Sequence, residues 1–268
     1  MKSFKKVLVG AAVAAALASS AHAGLITVGG VTWDPESTFP DFGSASSTIR
    51  QFIASDGTLS GYGILNSFNG TAISTFVGTG ELTFQFGGYK PTGLLPIPTA
   101  SAQTITYNTG WVRVYSDYSN VAADRVANPL DYNTLTLNNT GNGTLFLAMT
   151  GHANSSPNGD TFTGFTNPVG GTGLGQLDVD YSFGGGGAAA FNFDTNVMDD
   201  TVNVIPTFTG ADLIFSTAFN KIGTGSAGYL NMQGTGSFNG NSIPEPGSLA
   251  LFGLGLVGLA ASRQRKSV

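Results

Sequence analysis

The chain of 268 residues contains no cysteine. That excludes a disulfide framework, a thiolate metal site, a catalytic thiol and a cysteine-linked lipid anchor. Charge is scarce: Asp, Glu, Lys and Arg together make up 10% of the residues, against roughly a quarter in ordinary soluble proteins. Histidine occurs twice, as His22 and His152. No apolar pattern of helical period runs for a convincing length between Gly24 and Asn241. What the chain does have is 39 glycines, 19 phenylalanines and 8 tyrosines. That aromatic content argues against low-hydrophobicity disorder in the middle of the chain.

The few cations are unevenly placed. Lys2, Lys5 and Lys6 stand at one extreme and Arg263, Arg265 and Lys266 at the other. Between them only Arg50, Lys90, Arg113, Arg125 and Lys221 face all 16 acidic residues. So acidic a body repels phosphate backbones, which excludes nucleic acid as a partner and leaves cations and neutral sugars.

Residues 1–23 have the three parts of a secretory signal peptide. Lys2, Lys5 and Lys6 form the basic region, Val7 to Ala18 the apolar helix, and Ala21-His22-Ala23 the small-x-small cleavage pattern, with Gly24 as the first mature residue. At the other end, Leu249 to Ala261 is an uncharged run of thirteen residues. As a helix it spans roughly 20 Å, against a hydrocarbon core of about 30 Å. The cations that follow can snorkel and lengthen the effective span. Loop charge then predicts a cytoplasmic tail and an exported body.

Pro244-Glu245-Pro246, the apolar run and the basic stop at Arg263, Arg265 and Lys266 together resemble the PEP-CTERM sorting signal of Gram-negative bacteria. The resemblance covers residues 242–268. It implies recognition by an exosortase, a membrane-embedded enzyme that cuts near the Pro-Glu-Pro. The protein would be a membrane-tethered intermediate first, then a resident of the cell envelope or exopolysaccharide matrix. His152-Ala153-Asn154 and the opening "VTWDPEST" also resemble a PEP-CTERM subgroup named for a Thr-His-x-Asn motif; Gly151 stands at the Thr position, with Thr150 one place earlier.

The body, residues 24–241, reads as many short strands with glycine- and asparagine-rich turns. In "ELTFQF", Leu82, Phe84 and Phe86 fall on one face and Glu81, Thr83 and Gln85 on the other; "WVRVYSD" sets Val112 and Val114 against Trp111, Arg113 and Tyr115. "NTLTLN" and "TLFLAMT" read as a hairpin around "NTGNG", and "GQLDVDYSF", "TVNVIPTF" and "ADLIFSTAF" continue the series. The pattern predicts an all-β single domain, a jelly-roll-like β-sandwich, with a signal helix before it and a transmembrane helix after it. Gly184–Gly187 reads as a flexible turn or hinge.

Candidate chemistry is thin. His152 follows a predicted strand and is a candidate metal ligand or general base that Asn154 could orient. Asp178 and Asp180 fall two apart on a predicted strand, hence on one face, and with Asp194 or Asp199-Asp200 they could form an oxygen cage for Ca²⁺. The same carboxylates could serve as a glycosidase pair. Trp33, Trp111, Tyr115, Tyr118 and Tyr132 are candidates for stacking on sugar rings. These features favour a non-enzymatic surface or matrix protein, adhesive or exopolysaccharide-associated. The alternative is a Ca²⁺-dependent lectin or carbohydrate-active enzyme with the same tail.

Overall fold

The computed structural model describes residues 25–35, 47–68, 71–72, 75, 78–93, 102–119, 125–154, 158–196, 210–224 and 230–243. The expected signal helix and the expected C-terminal helix lie outside these residues. So do Ala21, Ala23, Gly24, Pro244, Glu245, Pro246, Arg263, Arg265, Lys266, Asp199 and Asp200. Among the described residues no helix is long and apolar enough to cross a membrane.

Among the described residues thirteen strands follow in order: β1 Ile26–Val28, β2 Val31–Trp33, β3 Ser47–Ile53, β4 Leu59–Ile64, β5 Ser67–Phe68, β6 Thr71–Ala72, β7 Glu81–Pro91, β8 Gln103–Asp117, β9 Thr144–Gly151, β10 Phe162–Thr166, β11 Gly170–Val179, β12 Leu213–Thr224 and β13 Leu230–Gly240. The expectation of an all-β body holds, but the sandwich gives way to a closed barrel. Consecutive strands β3, β4, β7 and β8 pair as neighbours, as do β11, β12 and β13, and Leu230–Gly236 of β13 pairs back onto Ser47–Ile53 of β3. Every pairing is antiparallel. Alternation along a strand is the same in a sandwich and in a barrel; the pairing of first strand with last separates them.

The eighth position of the ring is shared. The upper part of β8, Trp111 to Ser116, pairs with β9, and its lower part, Gln103 to Tyr107, pairs with β10. On the other side β11 does the same, with Leu177 opposite Gly151 and Gly175 opposite Phe162. Thus β9 and β10 share one position in the ring, and the wall is interrupted between Gly151 and Phe162, with His152 and Thr161 still bonded to Gln176 and Tyr107 at its two sides.

Ring after ring fills the interior. Phe215 stacks on Phe238 at 4.7 Å, Phe84 meets Phe238 edge-on at 5.1 Å, and Phe162 lies 5.4 Å from Tyr89. A barrel of eight strands has just enough room for such filling if small residues face large ones. Gly61 stands opposite Phe86 and Gly63 opposite Phe84. A Cβ on Gly63 would lie 2.6 Å from the Phe84 ring and 2.5 Å from the Thr48 carbonyl oxygen. The outer wall is mixed: Arg50, Gln85, Arg113, Thr172, Ser216, Thr235 and Asn239 alternate with rings such as Phe52, Tyr62 and Phe165.

One end of the barrel is capped by the β1–β2 hairpin, whose Trp33 stacks on Phe193 at 5.5 Å and meets Phe68 and Phe146. Phe193 belongs to a single helical turn, Ala190–Phe193, entered from Gly184–Gly187. The expected hinge is a defined turn: all four glycines have positive φ, between 57° and 87°, a region other residues enter at a cost. The expected hairpin of "NTLTLN" is absent. Tyr132–Thr134 forms a 3₁₀ turn, capped by the Asp131 carboxylate accepting from the Asn133 N–H, and residues 137–140 turn again. "TVNVIPTF" lies outside the described residues.

Candidate functional site

The break in the wall after β9 brings His152 and Asp178 together. The pairing of Leu177 with Gly151 sets His152 beside Asp178, and the His152 backbone N–H donates to the Gln176 carbonyl at 2.8 Å. Nδ1 of His152 lies 2.8 Å from both Asp178 carboxylate oxygens. The pair is partly open, with side chains 21% and 35% exposed. A proton on Nδ1, donated to the carboxylate, leaves Nε2 as the basic nitrogen. This is the orienting half of an acid–base device, and equally the arrangement that prepares a histidine for a metal. Asp178 orients the ring, and the Asn154 backbone N–H donates to the Asp160 carbonyl at 2.8 Å. On the same face, two residues before Asp178, Gln176 is fully buried, and both its amide atoms lack a partner among the described residues.

The three aspartates of the expected calcium cage have separate partners. Asp178 holds His152, Asp180 accepts from Ser182, and Asp194 accepts from Tyr181 and Asn196. Among the described residues no three His, Asp or Glu side chains converge where a metal could sit. Burial and the Asp194 contact push the Tyr181 hydroxyl up to about 12. Asp212, which composition alone did not single out, is more deeply placed. It accepts backbone N–H groups from Val179, Thr195 and Asn196 at 2.7–2.8 Å. Its burial raises its carboxyl above the ordinary range against the pull of those donors.

A second feature lies on the outer wall. A cleft of about 490 Å³ crosses β10, β11, β12 and β13. Register aligns Phe165, Thr172, Ala218 and Thr235 side by side across it. Gly170, Gly171 and Gly234 keep its floor low, Tyr132 and the exposed Phe165 supply rings, and Asn167, Asn220, Thr172 and Thr235 supply neutral polar groups. Among the described residues no charged side chain lines it. Of the five expected stacking residues, Tyr132 lies here. Trp33 is in the core and Trp111 faces the Arg113 guanidinium at 4.2 Å.

A third feature is the exit of the chain. Trp33 Nε1 donates to Ser242 Oγ at 2.9 Å. The Ile243 N–H donates to the Asn192 carbonyl at 2.7 Å, and Asn192 Nδ2 returns a bond to the Ile243 carbonyl at 3.0 Å. The segment leaving the barrel is therefore held to the capped end through its last described residue.

Residues 242–266 match the PEP-CTERM protein-sorting motif. The PEP-CTERM match implies an exported protein processed by an exosortase, located in the envelope or outside the cell. It covers the segment that carried the resemblance in the sequence and stops short of the His152 region. Ser242 and Ile243 belong at once to the motif and to the barrel's hydrogen-bonded end. No curated protein and no solved structure matches the chain.

Proposed function

We propose that the protein is a non-enzymatic, exosortase-sorted barrel that associates with neutral polysaccharide of the cell surface or extracellular matrix through the cleft on its outer wall. Before processing, residues 249–261 tether it in the membrane with Arg263, Arg265 and Lys266 on the cytoplasmic side. The observation that carries the binding reading is the make-up of the cleft. Neutral sugars present apolar ring faces edged by hydroxyls, and rings beside amides and hydroxyls answer both. An anionic glycan would be repelled by the acidic body. The Thr-His-x-Asn resemblance adds no activity to this reading.

Affinity electrophoresis of residues 24–243 through gels containing neutral or uronic acid polysaccharides tests it. Retardation by a neutral polymer, reduced about tenfold in apparent affinity by Phe165→Ala or Tyr132→Ala, is the expected result. Equal mobility in every gel contradicts it. The His152–Asp178 pair favours a second reading, hydrolysis of the bound glycan. Release of reducing ends that disappears in His152→Ala would establish that instead.

A further inference from the structure

The capped end of the barrel carries the most exposed aromatic ring among the described residues. Phe191 is 82% exposed on the helical turn, and Tyr181 packs beside it with ring centroids 5.9 Å apart. Ile243 and Leu25 are exposed at the same end. They are linked to it through Asn192, which bonds Ile243, and through Trp33, which pairs with Ile26 and bonds Ser242. Among the described residues Tyr181 is the ring that packs on Phe191, and exposed apolar side chains gathered at one end mark an interaction surface.

The length of the chain beyond Ile243 says which. Five residues, 244–248, separate it from Leu249, where the uncharged run begins. Even fully extended they reach roughly 20 Å. Asn192 and Trp33 hold the chain through Ile243, so the reach to Leu249 is counted from there. If residues 249–261 sit in a bilayer, this end of the barrel cannot be farther from it than that short leash. We infer that, while the protein is tethered, the Phe191 end of the barrel rests on the lipid surface, with Phe191, Tyr181, Ile243 and Leu25 entering the headgroup layer. Aromatic side chains favour that layer. Asp180 and Asp194 flank the cluster, so the contact is apolar and suits zwitterionic rather than anionic lipid. The Pro-Glu-Pro would then be presented at the membrane surface, at the depth where a membrane-embedded enzyme works.

The inference rests on the tether reading, and the test separates the two. The absence of native cysteine permits single labels without background. Full-length chain is reconstituted in phosphatidylcholine vesicles with an environment-sensitive fluorophore on Ala188→Cys, Val169→Cys or Leu254→Cys. Ala188 is exposed three residues before Phe191. Val169 lies at the other end of β11, roughly 30 Å away at the rise of a strand. Quenching by headgroup-level nitroxide lipid is expected to be at least twofold at 188 and absent at 169, with the 254 label quenched by acyl-chain nitroxide. Adding Phe191→Ser should cut the quenching at 188 by half or more at an unchanged melting temperature. Replacing half of the lipid with phosphatidylglycerol should weaken it.

An unquenched label at 254 refutes the tether and the inference with it. A quenched label at 254, with 188 no more quenched than 169, refutes the lipid contact alone. Crosslinking of the 188 position to exosortase in cells, without quenching in vesicles, also overturns it in favour of a protein partner.

Discussion

Glu81 shows what a buried carboxylate does in so lightly charged a chain. It is almost fully buried and accepts the Val126 N–H at 3.1 Å. Burial still outweighs that bond and the nearby Arg125, so its carboxyl is raised above the ordinary range, as is that of Asp212. A carboxyl with a raised native pKa binds its proton more tightly folded than unfolded. Its contribution to stability is therefore present below the unfolded pKa and lost as pH rises through the native one. The melting temperature should climb as pH falls toward the ordinary carboxylate range, and Glu81→Gln should remove part of that climb. A profile unchanged by the substitution would contradict the burial. At this scale the sequence was informative about identities and silent about partners. His152 and Asp178 each stand out from composition and pattern, yet they meet only because β9 and β11 pair across the barrel wall.

The strands that alternate cleanly were the legible ones. β7 and β8 place Phe84, Phe86, Val112 and Val114 inward as their pattern predicts. Others were hidden by glycine at inward positions. β4, β11 and β13 contribute Gly61, Gly63, Gly173, Gly175 and Gly236 to the interior, and rings from neighbouring strands or the Ile49 side chain fill the space. β3 inverts the usual signal, burying Gln51 while Phe52 packs outside against Tyr62. "NTLTLN" misleads in the opposite way. Asp131, Thr136 and Asn139 bond the local backbone and hold the segment in turns, which is how such side chains compete with a strand. The glycine-under-ring device predicts that Gly63→Val costs about 3 kcal/mol by overpacking Phe84. A thermal melt equal to wild type would show that the interior can absorb the added volume.

The whole molecule is a ring closed by residues nearly two hundred positions apart, Ser47 accepting the Gly236 N–H at 3.0 Å. Closure leaves no free sheet edge in the barrel wall except at the break between β9 and β10, and it ties the first half of the core to the second through Phe84, Phe215 and Phe238. Phe238→Ala should lower stability by about 4 kcal/mol. The loss should appear equally in far-UV and near-UV unfolding, as one transition. Separate transitions would divide the barrel into independently stable parts. Closure itself could not be read from strand patterns, because a sandwich and a barrel share them.

The sorting signal was legible because it is a contiguous segment of defined residue order; the cleft was not, because it gathers Tyr132, Phe165, Asn220 and Thr235 from separated parts of the chain. A barrel exported as cargo loses its tail at the sorting step. Intact-mass measurement on the protein from cells with and without a functional exosortase tests that directly. With the enzyme, the mature species should begin at Gly24 and end near Pro244-Glu245-Pro246, recovered from the envelope or the medium. Without it, the species should keep residues 244–268 and fractionate with membranes. An uncut chain of the full mass, soluble in the cytosol of both strains, would contradict the account.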